Sequence, residues 1–307
     1  MAHIYIYSPS SAVRDTAAFR RGVKRLTALG HQVELDEAAL ARHQRFAGAD
    51  EVRLAAIGRA AASGADVALI SRGGYGLTRL LPDLPYKAIA RSIDKGTQWV
   101  GLSDFTALQL ALLAKTGAST WAGPALGEDF GSADQPDDIM LACFDDLLPG
   151  HGEGTGWRLP LADRRWLSAR TPSTVQIPKA TLWGGNLCVL TALLGTPYFP
   201  QIKGGVLFLE DVNEHPYRIE RMLLQLHQAG VLAAQKAICL GAFTKYKAVP
   251  QDRGFNMTQV VNRLKNMIKP VVLTGLPFGH VGTKVLLPVG QTVQLAAEEG
   301  DALIYWG

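Results

Sequence analysis

The chain has 307 residues, 48% of them hydrophobic, with 31 Lys and Arg against 27 Asp and Glu. That is length enough for two domains and apolar content enough for substantial cores. The net charge of +4 is small and its cations are scattered, which argues against a nucleic-acid surface. No apolar stretch approaches the roughly 20 residues that a membrane span needs. Three widely spaced cysteines, Cys143, Cys188 and Cys239, propose neither a disulfide framework nor a zinc site. Met1-Ala2-His3 runs straight into strand-like Ile4–Tyr7 with no charged leader, so a reducing cytoplasm is the expected compartment.

In chain order the first half alternates strands and helices. Ile4 to Ser8 reads as a strand, about Ala12 to Leu29 as a helix with Gly30 at its end, and His31 to Leu35 as a second strand. Glu51 to Ala62 is helical. Asp66 to Ser71 and Gln98 to Leu102 are apolar strands of the kind buried on both faces of a parallel sheet. A helix from Asp104 to about Lys115 and a short strand, Ala118 to Trp121, follow. This rhythm predicts an α/β fold whose N-terminal part is an open, mostly parallel sheet flanked by helices, Rossmann- or flavodoxin-like, over residues 1–130. Residues 131–177 are rich in Gly, Pro, Asp and Arg, with Pro149-Gly150-His151-Gly152 at their centre. They read as an interdomain crossing with short irregular strands. A second α/β domain with a mixed sheet is expected over 178–307. Its elements are a helix opened by Gly184-Gly185-Asn186, a strand Gly204–Leu209, a helix His215–Gln228, a strand Ala237–Ala242, a helix Asn256–Ile268 behind an Asn cap, and a strand Val271–Thr274. Short antiparallel strands at 284–287, 292–296 and 302–306 close the chain.

Candidate chemistry gathers where predicted strands end. Ser103 lies between a buried strand and a helix, at the sheet edge where open α/β folds bind ligands. The helix start adds unpaired N–H groups able to receive an oxyanion, although Ser103-Asp104 could equally be an ordinary helix cap. The sequence around it, Gly101-Leu102-Ser103-Asp104-Phe105, is not the GxSxG elbow. Arg72-Gly73-Gly74-Tyr75-Gly76 follows another buried strand. It suits a phosphate cradle, a second oxyanion donor or simply a tight turn. Glu210 ends the predicted strand Gly205–Leu209, with Asp211 and Glu214 as competitors. His280 lies on the loop after Val271–Thr274, and the other histidines sit in helices or away from these loops. A serine, a carboxylate and a histidine in this order would serve as nucleophile, orienting acid and base. The first comes from one domain and the other two from the second, so the expected site lies between domains.

Taken together, Arg45-Phe46-Ala47-Gly48, Arg72–Gly76, Gly101–Thr106, Trp183-Gly184-Gly185-Asn186-Leu187, Leu209–Pro216 and Gly275–His280 resemble, in order, the bacterial LD-carboxypeptidases, the murein tetrapeptide carboxypeptidases of serine peptidase family S66. The match is poorest over 131–177. The resemblance implies Ser103 as nucleophile, Glu210 as acid and His280 as base. It implies oxyanion donors at the Asp104 backbone and the Gly73-Gly74 turn, and no metal or other cofactor. The reaction implied is release of the terminal D-alanine from a murein tetrapeptide by a cytoplasmic homodimer. Arg72 is the candidate for the terminal carboxylate; Tyr75 and Trp183 are further candidates at the substrate, Trp183 being more expected at the domain seam. Two rivals remain: a microcin-immunity-like peptidase acting on peptidyl or aminoacyl nucleotides, and a non-catalytic α/β module binding an anion.

Overall fold

The computed structural model describes residues 1–148, 150, 152–170 and 172–307. Pro149, His151 and Thr171, all in the expected crossing, lie outside the described residues. In chain order the elements are β1 (His3–Tyr7), α1 (Thr16–Ala28), β2 (Gln32–Leu35), α2 (Asp50–Ala62), β3 (Val67–Ile70), α3 (Tyr86–Asp94), β4 (Gln98–Gly101), α4 (Thr106–Thr116), β5 (Thr120–Ala122) and α5 (Asp138–Leu147). They continue as β6 (Gly154–Arg158), α6 (Leu161–Ser168), β7 (Val175–Asn186), α7 (Leu187–Ala192), β8 (Val206–Val212), α8 (Pro216–Gln228), β9 (Ala237–Thr244), α9 (Met257–Met267), β10 (Val271–Thr274), β11 (Leu287–Val289), β12 (Thr292–Glu298) and β13 (Asp301–Tyr305).

The chain forms two compact units. One comprises Met1–His151, Gly195–Pro200 and Gly282–Gly290; the other comprises Gly152–Leu194, Gln201–Val281 and Gln291–Gly307. The first unit holds a six-stranded sheet in the order β2-β1-β3-β4-β5-β11, parallel except for β11. Strands β3 and β4 are buried almost throughout, as their unbroken apolar runs require. The order 2-1-3-4-5 places a topological switch between β1 and β3, where the chain leaves the two strands in opposite directions and opens a crevice at their carboxyl ends. The late return of β11 is fastened by a buried ion pair, Lys284 Nζ to Asp129 Oδ1.

The second unit holds a seven-stranded mixed sheet, β10-β9-β8-β7-β12-β13-β6. Strands β10, β9, β8 and β7 pair in parallel, and β12, β13 and β6 are antiparallel. The α/β class and the mixed second sheet agree with the expectation from sequence. Within 131–177 the structure differs from the irregular strands expected. α5 starts at Asp137, whose side chain accepts from the N–H of Ile139 and Met140, and it buries Met140, Phe144 and Leu147 along one face. β6 and α6 follow as regular elements. Gly184-Gly185-Asn186 leads into a helix as expected, with Asn186 the cap of α7, but all three residues also close the twelve-residue strand β7, which was not expected. Gly184, at φ 141°, is forced by a neighbour, since a Cβ there would stand 1.9 Å from the carbonyl oxygen of Phe208.

Candidate active site

The first unit supplies the serine. Ser103 opens a 3-10 turn, Ser103–Phe105, that runs into α4. Its φ is +65°, a left-handed conformation that strains a residue with a side chain by about 1–3 kcal/mol. This is not the conformation of a helix cap, which is extended; the extended residue here is Leu102. The capping alternative therefore fails on geometry. Ser103 instead occupies a sharp strand-to-helix turn, the local arrangement that exposes the nucleophile in α/β-hydrolases, without their GxSxG spacing. As the second residue of the turn, Asp104 has its N–H among the donors that a helix start leaves without an intrahelical partner.

The glycine turn meets this serine. A Cβ built on Gly73 would lie 2.7 Å from Ser103 Cβ and 2.9 Å from its Oγ. Gly74 has φ +110°, and a Cβ there would fall 2.4 Å from Ser11 Oγ. The turn is pinned by the loop after β1: Ser11 N donates to Gly73 O, Tyr75 N donates to Ser11 Oγ, and Ser11 Oγ donates back to Tyr75 O. Arg53, which the sequence reading passed over, and the side chain of Asp104, singled out there only for its backbone, hold the same edge. Arg53 is fully buried on α2, donates to Pro9 O (3.0 Å) and Gly76 O (2.9 Å), and stacks over Phe46. The Asp104 carboxylate, pushed up by burial, accepts from Leu77 N at 2.8 Å and so ties the segment after the turn to the Ser103 helix. The functional signal at Arg53 was its position on an Ala-rich helix face that should have been apolar. Tyr75 is exposed, with the Arg45 guanidinium over its ring.

The second unit supplies the acid and the base. His280 Nδ1 and Glu210 Oε2 are 2.8 Å apart, and Glu210 is completely buried. Glu210 is not at a strand tip, as expected, but inside β8, at a register shift against β9 between Leu209 and Asp211. An irregularity of this kind re-aims side chains and is common beside active sites. It leaves Glu210 and Asp211 both buried, and one side chain serves both: Asn186 Nδ2 donates to Glu210 Oε1 at 3.1 Å and to Asp211 Oδ1 at 3.0 Å. Asn186 Oδ1 in turn caps α7 by accepting from Val189 N. Asp211 also accepts from the N–H of Cys188 and Val212, yet burial, with the Glu210 charge adding to it, pushes its carboxyl up to about 6. The competitor Glu214 pairs with Arg218 from the position just before the α8 cap His215, one residue short of the first-turn place expected of it. Gly279, at φ +131°, lets the His280 loop pass Glu210: a Cβ there would stand 3.1 Å from Oε2.

Trp183 belongs to β7 of this unit. It is fully buried and its Nε1 donates to Gln235 Oε1 at 3.0 Å, so it presents no exposed ring to a substrate, which corrects that expectation. Ser103 thus stands in the first unit with the glycine turn, while Glu210, His280 and Asn186 stand together in the second.

Comparison with known proteins agrees with these two halves. The model of the LD-carboxypeptidase N-terminal domain matches residues 4–123, and that of the LD-carboxypeptidase C-terminal domain matches residues 179–295. The protein slr1534 of Synechocystis sp., named for a carboxypeptidase activity, is 33% identical over 97% of this chain and 91% of its own length. The crystal structure of muramoyltetrapeptide carboxypeptidase from Oxalobacter formigenes superposes with a TM-score of 0.84 at 37% identity, covering 98% of this chain and 97% of that one. The microcin C7 self-immunity protein MccF of Escherichia coli is 29% identical over 74% of this chain and 69% of its own length. Matched in both halves and over nearly its whole length, the chain belongs to the LD-carboxypeptidase family.

Proposed function

We propose that this protein is a metal-independent serine carboxypeptidase that releases the terminal D-alanine of murein tetrapeptides, with Ser103 as nucleophile, His280 as base and Glu210 as its orienting acid. The observation that carries the reading is the 2.8 Å contact between His280 Nδ1 and the buried Glu210 carboxylate. A carboxylate on Nδ1 fixes the tautomer that presents Nε2 as base and steadies the imidazolium once the proton has moved. Nε2 takes the Ser103 hydroxyl proton as Oγ attacks the carbonyl carbon of the L-configured residue. The oxyanion falls to the N–H of Asp104 and of the Gly73-Gly74 turn; one such donor is worth roughly 10²–10³ in rate. His280 gives the proton to the leaving amine of D-alanine, and water repeats the sequence on the acyl-enzyme. The positive φ of Ser103 and the close backing by Gly73 support the nucleophile assignment. On this reading the enzyme is a cytoplasmic homodimer that needs no cofactor. Among the described residues no helix is long and apolar enough to cross a membrane.

The kinship to MccF gives a second reading, hydrolysis of an aminoacyl or peptidyl nucleotide by the same three residues. One experiment separates the two. The protein and its Ser103→Ala variant are incubated with a murein tetrapeptide and, in parallel, with an aminoacyl sulfamoyl adenosine. D-alanine release by the wild type alone supports the first reading. Cleavage of the nucleotide only would replace it with the second, and undiminished turnover by Ser103→Ala would remove Ser103 as nucleophile.

A further inference from the structure

The glycine turn is held differently at its two ends. Its start is tied to the loop after β1: Arg72 Nη1 donates to Ala12 O at 3.1 Å, and Ser11 N donates to Gly73 O. At its end a single peptide group, Gly76–Leu77, is gripped from both sides by charged side chains. The Gly76 carbonyl oxygen accepts from Arg53 Nη1 at 2.9 Å, and the Leu77 N–H donates to Asp104 Oδ2 at 2.8 Å. Both side chains are fully buried. We propose that Arg53 and the Asp104 carboxylate clamp this peptide by their opposite charges, and so keep the oxyanion donors, the Gly73-Gly74 turn and the Asp104 N–H, in place around Ser103. The two side chains are positioning groups for the reaction, and the proposal rests on the carboxypeptidase reading and deepens it.

Three observations carry it. The carbonyl and N–H of one peptide are the two ends of one dipole. A cation on the oxygen and an anion on the N–H therefore strengthen each other's bond, most of all where water is excluded. Second, the clamp joins the elements that carry the donors. Asp104 follows Ser103 in the turn into α4, and Gly76 closes the turn whose Gly73 backs Ser103. The same Arg53 Nη1 also donates to Pro9 O at 3.0 Å, which adds the loop after β1. Third, the fit leaves little slack. A Cβ on Gly76, at φ +151°, would stand 2.6 Å from Arg53 Nη1 and 3.0 Å from the Phe46 ring on which the guanidinium stacks. The Asp104 carboxylate is faced by Arg53 from α2, by the Ser10 hydroxyl from the loop after β1 and by the N–H groups of Gly76 and Leu77. Burial raises its pKa and these groups oppose the rise, Arg53 being the cation among them. On the other side of Arg53 stand Asp50, from the same helix, and Arg79, whose guanidinium lies over the same Phe46 ring. Asp50 keeps Arg79 as partner when Arg53 is replaced, whereas Asp104 loses the cation that bears on it. Its carboxyl then takes up a proton at higher pH, and a protonated carboxyl holds the Leu77 N–H more weakly.

The test measures kcat and KM for D-alanine release from about pH 5 to about pH 9 in the wild type, Arg53→Met, Asp104→Asn and the double variant, with folding checked by circular dichroism. Arg53→Met should lower kcat about 10²-fold, the loss typical of one oxyanion donor, and change KM by less than about threefold. The acid limb of its kcat profile should lie about one pH unit above that of the wild type. The shift should vanish in the double variant, whose amide does not titrate. Because both charges act on one peptide, the double variant should be about as slow as the slower single one. Arg53→Lys, whose ammonium can meet both carbonyls that Nη1 meets, should recover about tenfold of the loss. A loss in Arg53→Met that is independent of pH and multiplies with that of Asp104→Asn would assign Arg53 to packing alone and overturn the proposal, as would wild-type kcat in Arg53→Met. If Arg53→Met does not fold, Asp104→Asn decides, since it keeps the shape and the backbone donor: a kcat about tenfold lower at unchanged KM supports the clamp, and wild-type kcat overturns it. If the wild type cuts no peptide, the carboxypeptidase reading fails by itself. The rate at which a serine-directed acylating probe labels Ser103 then replaces kcat: labelling at least about tenfold slower in Arg53→Met supports the clamp, and an equal rate overturns it.

Discussion

Replacing Gly73 with alanine tests whether the glycine turn and Ser103 work as one device. The added methyl would stand 2.7 Å from Ser103 Cβ, 2.9 Å from Oγ and 3.3 Å from the carbonyl oxygen of Leu102. Ordinary contact begins near 3.4 Å, so Ser103 must retreat by about 0.5–0.7 Å or the turn must move back by as much. Neither is a flexible side-chain end. Ser103 Cβ is fixed to a backbone already held at φ +65°, and the turn is pinned through Ser11. Overpacking of this kind costs about 1–3 kcal/mol of stability. A reacting atom misplaced by about 1 Å loses roughly 10²-fold in rate, or about 2.7 kcal/mol of transition-state stabilisation. The expected result is a kcat/KM for D-alanine release lowered about 10²-fold in a protein that still folds, with urea unfolding reporting the smaller stability loss. Gly58→Ala is the control, because a Cβ on that helical glycine meets nothing within 4 Å. It should leave activity unchanged and stabilise by about 0.5–1 kcal/mol. Wild-type kcat/KM in Gly73→Ala would refute the argument that the turn backs the nucleophile.

Three further outcomes follow from the second unit and from the returning segment. Asn186→Leu strips one donor from two buried carboxylates and the cap from α7, so it should cost about 2–4 kcal/mol in urea unfolding and lower kcat more than it raises KM; an effect on KM alone would contradict a role in holding Glu210. Asp211 titrates near 6 in the native protein but near 3.9 when unfolded, so the native state binds the extra proton and this group makes stability fall as pH rises from about 4 to 6, by up to about 3 kcal/mol. Asp211→Asn should therefore gain on the wild type as pH rises through that window, and a stability difference independent of pH would refute the assignment. Lys284→Met leaves Asp129 buried without its partner and should destabilise by about 3–5 kcal/mol, read by thermal unfolding; a neutral effect would mean that β11 is held by packing alone.

Periodicity and apolar runs located most of both sheets. Buried strands such as Val67–Ile70 and Val271–Thr274 announce themselves by continuous apolar sequence, and α9 by its Asn256 cap. The elements that escaped were short and polar. α5 and α6 lie in a stretch whose Gly, Pro and Asp content imitates a linker, and their burying faces are only two or three residues wide. At β7 the pair Gly184-Gly185 read only as the entry to α7, because glycines favour turns; the neighbouring Phe208 carbonyl reveals that Gly184 also lets two strands approach. Candidate chemistry was legible at Ser103, Glu210 and His280 because each sits close to the end of a buried run. What the sequence could not carry is long-range. The fully buried Arg53, the Asn186 amide shared by two carboxylates and the irregularity that aims Glu210 depend on segments brought together only by folding.

The most direct test of the nucleophile and its base is peptide mapping by mass spectrometry after reaction with a serine-directed acylating probe. Wild-type protein should carry the adduct on Ser103 in stoichiometric amount. Ser103→Ala should carry none, and His280→Ala should label at least a hundredfold more slowly for want of the base. Labelling on a different serine, or a rate in His280→Ala equal to that of the wild type, would contradict the assignment.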